Sequence, residues 1–337
     1  GSSARTNMTN DTRLDGLRDW LAGETSLSDF DVAPASADAS FRRYFRVTTA
    51  VDSFIAMDAP PDREDSHPFV EIDRLLEAHG VNVPHIHAVD LDKGYLLLDD
   101  FGNRHFLSAL TDETANSLYD DALAALLKIQ QTPANALPPY DRQLLWREME
   151  LFRDWFLDTH LGLRLDSAQH ALLDACFETL MRNALDQPQV FVHRDYHSRN
   201  LMVTANDNPG ILDFQDAVAG AVTYDLVSLL RDAYIAWPRQ RVEHWALDYR
   251  DRAVAAGILG AVDDRTFLRW FDLMGIQRQL KVIGIFARLN HRDGKPGYLD
   301  DIPRVLDYLL QAGRDHEETR PLCQLIDSLD IRKRLAA

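Results

Sequence analysis

The feature that most constrains this chain is a polar loop set between short apolar runs in residues 189–215. Val-Phe-Val at 190–192 precedes the loop, and Leu-Met-Val at 201–203 follows it. Residues 206–210 then read Asn-Asp-Asn-Pro-Gly, which is typical of a turn between two strands. We therefore expect a β-hairpin that returns the chain at 211–212 toward the loop.

Three side chains of this segment have the chemistry of a metal site. Asp195 and Asn200 lie on the loop, and Asp213 follows the returning strand. The hairpin would bring Asp213 back beside the other two. Two carboxylates and an amide oxygen are ligands that hard cations such as Mg²⁺ prefer in proteins.

The loop also has the spacing H-R-D-x-x-x-x-N from His193 to Asn200, with an Asp-Phe pair at 213–214. This combination indicates phosphoryl transfer from a nucleotide, which needs Mg²⁺ on the phosphates and a group that orients the acceptor hydroxyl. Asp195 is the candidate for that group, because a carboxylate near the hydroxyl can take its proton. We expect His193 to hold the loop through the backbone. The alternative, a surface loop whose Asp and Asn side chains cap turns, explains single residues but not the whole combination.

The charge balance limits the possible partners. The 337 residues include 53 acidic and 36 basic side chains, a net charge of −17. This argues against nucleic acid or an anionic membrane surface, which need clustered Lys and Arg. A nucleotide is compatible with it, because metal, backbone N–H groups and a few basic residues can hold phosphates. No apolar run approaches the roughly 18 residues of a membrane span. Neither cysteine matches a metal spacing, and reduced thiols fit a cytoplasmic protein.

The first hundred residues predict a small antiparallel sheet with helices. Residues 1–7 are expected to be a tag or a disordered end, because Gly1-Ser2-Ser3 resembles an expression scar and Met8 is a plausible native start. Periodicity and turn residues predict helices at 14–21 and 69–79 and strands at 41–48, 53–57, 81–90 and 94–98.

The character changes to mostly helical after 99–103, Asp-Asp-Phe-Gly-Asn. Helical periodicity is present at 113–131, 144–160, 167–185, 224–235, 241–256, 264–287, 302–312 and 321–333. We therefore expect an α+β chain: an N-terminal lobe at 1–98 that binds the nucleotide, a hinge at 99–103, and a helical lobe at 104–337 with the catalytic loop and the acceptor site.

On these residues the chain resembles the aminoglycoside phosphotransferase and choline kinase branch of the bilobal protein-kinase-like fold, from about residue 36 to 303. The resemblance implies that Asp195 is the catalytic base, that Asn200 and Asp213 hold Mg²⁺, and that ATP is the donor. It also implies that Asp225 anchors the loop. Gln215 follows the Asp-Phe pair, and the next helix starts too soon for an activation loop. The acceptor is thus expected to be a small molecule.

Longer strings resemble a narrower group, the anomeric kinases of bacterial cell-wall sugar recycling. These strings are FRRYFRV at 41–47, AMDAPP at 56–61, HRDYHSRNLMV at 193–203, the segment 211–238 and the segment 289–309. Kinases of this group use ATP to phosphorylate the 1-hydroxyl of N-acetylmuramate and N-acetylglucosamine. The resemblance implies the same reaction here.

The nucleotide side departs from the family pattern. SADASFRR at 36–43 stands where a Gly-rich loop is expected, and Met57 stands where a strand Lys usually grips the phosphates. Arg43 and Arg46 are the candidates for replacing that charge, although each fits the alternating polarity of a strand equally well. Asp99, Asp100 and Phe101 form the expected hinge that receives the adenine through backbone hydrogen bonds.

The acceptor pocket needs aromatic faces and polar groups. The candidates in the helical lobe are Tyr224, Tyr234, Trp237, Arg278 and His291. Further aromatic and basic residues nearby in sequence are Trp270, Lys281, Arg288 and Arg292. Each has an ordinary alternative, because aromatic residues at helical spacing are usually core and Arg is usually solvated. An Arg would suit the lactyl carboxylate of N-acetylmuramate.

Two other functions stay open at this point. One is a kinase of the same family that acts on an aminoglycoside, choline or another small alcohol. The other is a non-catalytic nucleotide-binding regulator, which the missing Lys motivates. We expect a monomer in each case.

Overall fold

The computed structural model describes residues 11–37 and 41–337. The expected tag or disordered end at 1–7 and part of the Ser-Ala-Asp-Ala-Ser run lie outside the described residues. The chain forms two compact units, one of residues 1–104 and 202–215 and one of residues 105–201 and 216–337. The predicted lobes and hinge remain predictions, and the two units are described in turn.

The first unit contains a five-stranded antiparallel sheet with strand order β1-β2-β3-β5-β4. Its strands are β1 Asp31–Ala37, β2 Arg43–Thr48, β3 Ser53–Asp58, β4 Ile86–Asp90 and β5 Tyr95–Asp99. Its helices are α1 Thr12–Glu24 and α2 His67–Ala78. The predicted sheet and both helices are confirmed, with β4 shorter than the predicted 81–90.

The core of this unit follows from the two periodicities. Alternate strand residues such as Phe45 and Val47 point to one face of the sheet, as do Tyr95 and Leu97. Residues three and four apart on α1 cover that face: Leu17, Trp20 and Leu21. These buried positions follow the alternation of apolar and polar residues that the sequence shows.

Strand β1 was not predicted. Its sequence DVAPASA has few β-branched residues and includes Pro34. Pro is tolerated here because β1 is the edge strand of the sheet, where a missing N–H group need not face a neighbour. The register shifts between Pro34 and Ser36, which marks a bulge.

The second unit is mainly helical. Its α-helices are α3 Phe106–Ala109, α4 Ala115–Gln131, α5 Arg142–Leu151, α6 Ser167–Asp186, α7 Tyr224–Leu230, α8 Arg239–Ala255, α9 Asp264–His291, α10 Ile302–Gly313, α11 Arg320–Ser328 and α12 Ile331–Ala336. A π-helix at Phe152–His160 continues α5, and a 3₁₀-helix at Pro296–Asp301 precedes α10. The helix α9 runs through the unit and packs against most of the others.

Three predicted helices differ from the structure. The prediction at 144–160 is correct in extent, but its second half is the π-helix. The helix predicted at 224–235 ends at Leu230, because the Asp232 carboxylate accepts hydrogen bonds from the backbone N–H groups of Ser198 and Tyr234. The helix predicted at 321–333 is two helices, separated at Asp330, whose φ is 54°.

The short strands of the chain position the loop. Strand β6 Gln189–Val192 pairs antiparallel with β9 Val218–Ala221, and β7 Leu201–Met202 pairs with β8 Gly210–Ile211. The predicted β-hairpin is therefore confirmed. Among the residues described, no helix has the length and apolar character needed to cross a bilayer.

Candidate active site

The loop at 193–200 is anchored by a buried aspartate on α7. The Asp225 carboxylate accepts hydrogen bonds from the backbone N–H groups of His193 (2.7 Å) and Arg194 (3.0 Å). His193 in turn accepts at Nδ1 from the N–H group of Asp195. These contacts confirm the expected anchoring roles of Asp225 and His193.

The residue before Asp195 has an unusual backbone. Arg194 has φ 88°, a conformation that a non-glycine residue adopts only when its surroundings impose it. Its N–H group donates to Asp225, and its carbonyl oxygen accepts from Arg278 Nη1 at 2.9 Å. Both ends of this residue are thus fixed, so that the direction of Asp195 is set by the fold.

A buried charge network surrounds this turn. Glu148 on α5 pairs with Arg194 Nη2 at 2.8 Å and with Lys281 Nζ at 3.1 Å. Lys281 and Arg278, both on α9, donate to the hydroxyl of Tyr224 at 2.8 and 3.0 Å. Tyr140 donates to Glu148. The burial of Glu148 raises its pKa, but the charges of Lys281 and Arg194 outweigh this and the net shift is downward.

The same network acts on Asp195. Its Oδ1 lies 3.8 Å from Arg278 Nη2, and its side chain is 42% exposed. Desolvation raises the pKa of Asp195. The positive charges of Lys281 and Arg278 lower it by more, so that the resulting pKa is about 2. Asp195 is therefore a carboxylate at neutral pH and can accept a proton or a hydrogen bond.

Asn200 and His197 complete the loop. Asn200 Nδ2 donates to the carbonyl oxygen of Asp195 at 2.9 Å and lies 3.4 Å from His197 Nε2. Burial lowers the pKa of His197 to about 4, although Asp232 and Asp195 raise it. His197 is therefore neutral at physiological pH, and Arg278 and Lys281 are the cations that act on Asp195.

An aromatic group adjoins the end of the loop. The Tyr234 ring lies 5.6 Å from that of His197, and the guanidinium of Arg199 lies over the Tyr234 ring at 4.7 Å. Tyr298 on the 3₁₀-helix and Phe286 on α9 lie beside them. Of the predicted acceptor residues, the structure thus places Tyr224 and Arg278 in the charge network and Tyr234 in this aromatic group.

The remaining predicted acceptor residues have other surroundings. Trp237 is buried, and its Nε1 donates to the hydroxyl of Tyr119 at 2.8 Å. His291 ends α9, where its Nε2 lies 2.8 Å from Nδ1 of His160. Their roles as acceptor contacts stay predictions.

Asp213 belongs to the first unit. It follows β8, has φ 60°, and its Oδ1 accepts from Gln215 Nε2 at 2.7 Å. The next residue, Phe214, is buried against Phe69 of α2 with ring centroids 5.0 Å apart. As at Arg194, a positive φ at a non-glycine residue marks a backbone that the fold holds in an uncommon state.

The predicted hinge is tied together by ion pairs. Asp100 binds Arg46 Nε at 2.7 Å and accepts from the N–H group of Gly102. Asp99 accepts from the His85 N–H group and lies 2.7 Å from His87 Nε2. Phe101 packs against Gly210, where an added Cβ would lie 2.6 Å from the ring.

The other nucleotide candidates lie on the sheet. Arg43 pairs with Asp58 at 2.7 Å, and Asp58 is fully buried and also binds Arg13. Met57 is fully buried in β3. The predicted phosphate contacts of Arg43 and Arg46 stay predictions, and both residues have carboxylate partners within their own unit.

Glu148 of the charge network was missed as a site residue, whereas Lys281 is among the basic residues that the sequence places near the acceptor pocket. Glu148 lies on the apolar face of α5 with Leu145, Met149 and Phe152, and Lys281 lies within the buried stretch of α9. A charged residue on an apolar helix face is a signal that sequence reading can find, because such a charge requires a partner. Within the part of the chain that the structure describes, no three His, Cys, Asp or Glu side chains are grouped to hold a metal ion.

Comparison with known proteins gives close relatives. Residues 31–271 match the phosphotransferase enzyme family, APH. The chain is 48% identical to the N-acetylmuramate/N-acetylglucosamine kinase of Pseudomonas putida, over 95% of this chain and 97% of the relative. It is 47% identical to the kinase of that name from Pseudomonas aeruginosa, over 96% and 98%. The kinase of that name from Caulobacter vibrioides is 33% identical over 81% and 85%.

Solved structures share the fold at low sequence identity. ADP-bound aminoglycoside phosphotransferase APH(2'')-Ib has a TM-score of 0.56 and 15% identity, over 87% of this chain and 97% of its own. Choline kinase LicA from Streptococcus pneumoniae has a TM-score of 0.59 and 11% identity, over 88% and 99%. The protein-kinase-like fold is confirmed. With a match over residues 31–271 and relatives nearly half identical along their length, the chain belongs to the phosphotransferase enzyme family.

Proposed function

We propose that this protein uses ATP to phosphorylate the anomeric 1-hydroxyl of N-acetylmuramate and N-acetylglucosamine, in the recycling of cell-wall sugars. The observation that carries the proposal is the 48% identity, over 95% of the chain, to a kinase named for these two sugars. The fixed Asp195 carboxylate supports it, because the reaction requires a group that orients the acceptor hydroxyl.

Asp195 is the proposed catalytic residue. A carboxylate with a pKa near 2 is a weak base, so it cannot deprotonate a free sugar hydroxyl in advance. The hydroxyl becomes far more acidic as its oxygen bonds to phosphorus. In the proposed reaction Asp195 therefore first accepts a hydrogen bond that orients the hydroxyl, and takes the proton late.

Mg²⁺ is the proposed metal, with Asn200 and Asp213 as its ligands. The donor set fits, since an amide oxygen and a carboxylate are hard ligands. The Asn200 amide nitrogen donates to the Asp195 carbonyl oxygen, so the amide oxygen of Asn200 would be the atom that holds the metal. When bound, Mg²⁺ would neutralise charge on the phosphates.

The nucleotide side of the proposal differs from the usual kinase pattern. A buried Met57 takes the place of the strand Lys, so backbone groups, Mg²⁺ and the Arg43 and Arg46 guanidinium groups would hold the triphosphate. Asp99, Asp100 and Phe101 would receive the adenine. We also propose that the protein is cytoplasmic and acts as a monomer. All residues of the proposed site come from one chain, which a monomer requires. Light scattering, which measures the mass in solution, tests the oligomeric state.

Phosphorus NMR tests the reaction directly. With ATP and Mg²⁺, each sugar should yield a sugar 1-phosphate together with an equal amount of ADP. The 1-O-methyl glycoside of N-acetylglucosamine is the matched control, because its anomeric oxygen is blocked and it should give no product. Phosphorylation of the glycoside would refute the 1-hydroxyl as the acceptor.

An acceptor screen tests the other functions. Transfer to an aminoglycoside, choline or an amino alcohol, with none to either sugar, would replace the proposed acceptor by another of the same family. ATP binding without transfer to any acceptor would instead indicate a nucleotide-binding regulator.

A further inference from the structure

Arg199 is held by two tyrosine rings at the end of the catalytic loop. Its guanidinium carbon lies 4.7 Å from the ring centroid of Tyr234 and 5.7 Å from that of Tyr298. Phe286 contacts both tyrosines, with ring centroids 6.1 and 5.2 Å away. Three separate segments of the chain thus contribute to one aromatic support for this side chain.

The charge of Arg199 has no acidic partner in the described part of the chain. Neighbouring cations differ in this respect: Arg194 and Lys281 pair with Glu148, and Arg278 lies beside Asp195. Arg199 is exposed. Because stacking uses the face of a guanidinium, the five N–H donors of Arg199 lie at its edge. The hydroxyl oxygens of Tyr234 and Tyr298 are too few to occupy all five donors.

This cation is connected to the catalytic loop by short contacts. Tyr234, under Arg199, lies 5.6 Å from the ring of His197. His197 Nε2 is 3.4 Å from the Asn200 amide nitrogen, which donates to the Asp195 carbonyl oxygen. Arg199 itself immediately precedes Asn200 in the chain. An oriented, exposed positive charge therefore lies on the same loop as Asp195, the residue proposed to face the acceptor hydroxyl, and is linked to it through Tyr234, His197 and Asn200.

We propose that Arg199 binds the lactyl carboxylate of N-acetylmuramate and sets the preference for this sugar over N-acetylglucosamine, an inference that rests on the proposed function. The two sugars differ only in the lactyl ether on the 3-hydroxyl, which carries the one carboxylate. A guanidinium with a free edge binds a carboxylate with two parallel hydrogen bonds. Tyr234 and Tyr298 keep the guanidinium oriented before the sugar arrives, which reduces the ordering cost of binding.

The test measures kcat/KM of Arg199→Met on both sugars. For N-acetylmuramate the value should fall roughly 10- to 100-fold, the usual loss of a charge-assisted contact. For N-acetylglucosamine it should stay within about twofold, since no carboxylate is involved. Arg199→Lys should recover part of the loss, because it keeps the charge without the bidentate geometry. Arg182→Met, at an exposed helix position paired with Glu178, is the control and should change neither value.

A change on the substrate gives an independent check. The amide of the lactyl group removes the negative charge while keeping its shape. Wild-type protein should lose on the amide about the same factor that Arg199→Met loses on N-acetylmuramate, and the variant should no longer distinguish acid from amide.

The outcomes separate the two proposals. An equal loss on both sugars would overturn the inference and assign Arg199 to the phosphates of ATP, which both reactions share. Unchanged values on both sugars would also overturn it. If wild-type protein phosphorylates neither sugar, the proposed function itself fails.

Discussion

One aspartate in each unit has a strongly shifted pKa, Asp73 on an apolar helix face and Asp195 beside a charge network, and the two shifts have opposite directions. Asp73 on α2 is fully buried, and neither of its carboxylate oxygens has a hydrogen-bond partner among the described residues. Burial raises its pKa to about 8, and the negative charges of Glu77 and Asp99 add to the effect. Desolvation also raises the pKa of Asp195, but Lys281 and Arg278 bring it down to about 2.

The difference shows that neighbours, not burial alone, decide the protonation state of a carboxyl group. At neutral pH the structure keeps Asp73 as a neutral acid and Asp195 as an anion. The anion depends on cations of α9 that are themselves buried and hold Tyr224 and Glu148 in place.

The largest effect is expected from Asp195→Asn. The amide retains the shape of the side chain but cannot take the proton of the acceptor, so kcat should fall by about 10²–10⁴. The affinity for ATP should change little, because Asp195 is assigned to the acceptor. Steady-state kinetics and nucleotide titration measure the two quantities. Near-normal turnover would show that the charge kept at this position is not catalytic.

Glu148→Gln tests the network that keeps Asp195 ionised. The change removes the carboxylate that pairs with both Arg194 and Lys281, and it leaves the buried Lys281 and the half-buried Arg194 without this partner. Breaking a buried ion pair in this way should lower the free energy of unfolding by about 3–5 kcal/mol. Chemical denaturation measures the loss.

Glu178→Gln is the matched control for Glu148→Gln. Glu178 pairs with Arg142 and Arg182, whose side chains are 62% and 70% exposed. Solvent screens a surface pair of this kind, so Glu178→Gln should leave the free energy of unfolding nearly unchanged. Equal losses in the two variants would contradict the central role of Glu148.

The fold could largely be predicted because its signals are local. The spacing of apolar residues predicts α1 and α2, and the turn residues at 206–210 predict the hairpin of β7 and β8. The failures have nonlocal causes. Edge strand β1 depends on pairing with β2, and the end of α7 depends on Asp232 binding the N–H group of Ser198 on another segment.

The site could be predicted in part for the same reason. The spacing of His193, Asp195 and Asn200 is visible within one loop. Glu148 and Asp73 are also visible as acidic residues on apolar helix faces. The sequence cannot show that Glu148 pairs with Lys281, whereas the Asp73 carboxylate has no hydrogen-bond partner among the described residues. Partners distant in the chain decide between these outcomes, and only the folded structure brings them together.

Asp73→Asn tests the opposite side of the comparison. The pKa of Asp73 is about 8 in the folded state, above its unfolded value near 3.9. In this window the folded state keeps a proton that the unfolded state loses, so Asp73 makes the protein less stable as the pH rises. Asn cannot ionise. The variant should gain about 2–3 kcal/mol relative to wild type between pH of about 5 and 7.

Unfolding free energies of both proteins across this pH range measure the effect of Asp73→Asn. Glu71→Gln, at an exposed position of the same helix, is the control and should leave the pH dependence unchanged. A parallel pH dependence of Asp73→Asn and wild type would mean that Asp73 has a partner in solution, and the contrast with Asp195 would disappear.

The smallest effect is expected from Arg46→Gln. This variant tests whether the pKa of a carboxyl group depends on its own partner or on the unit in which it lies. Asp100 lies in the same unit as Asp73, and burial raises its pKa, yet hydrogen bonds from Arg46 and Ser53 lower it below the usual value. The Arg46 side chain is 26% exposed, so the stability loss without nucleotide should be only about 0.5–1 kcal/mol. The loss should appear at neutral pH and diminish once Asp100 is protonated. A loss that does not depend on pH would show that the Arg46 side chain stabilises the hinge by packing, and not by keeping Asp100 ionised.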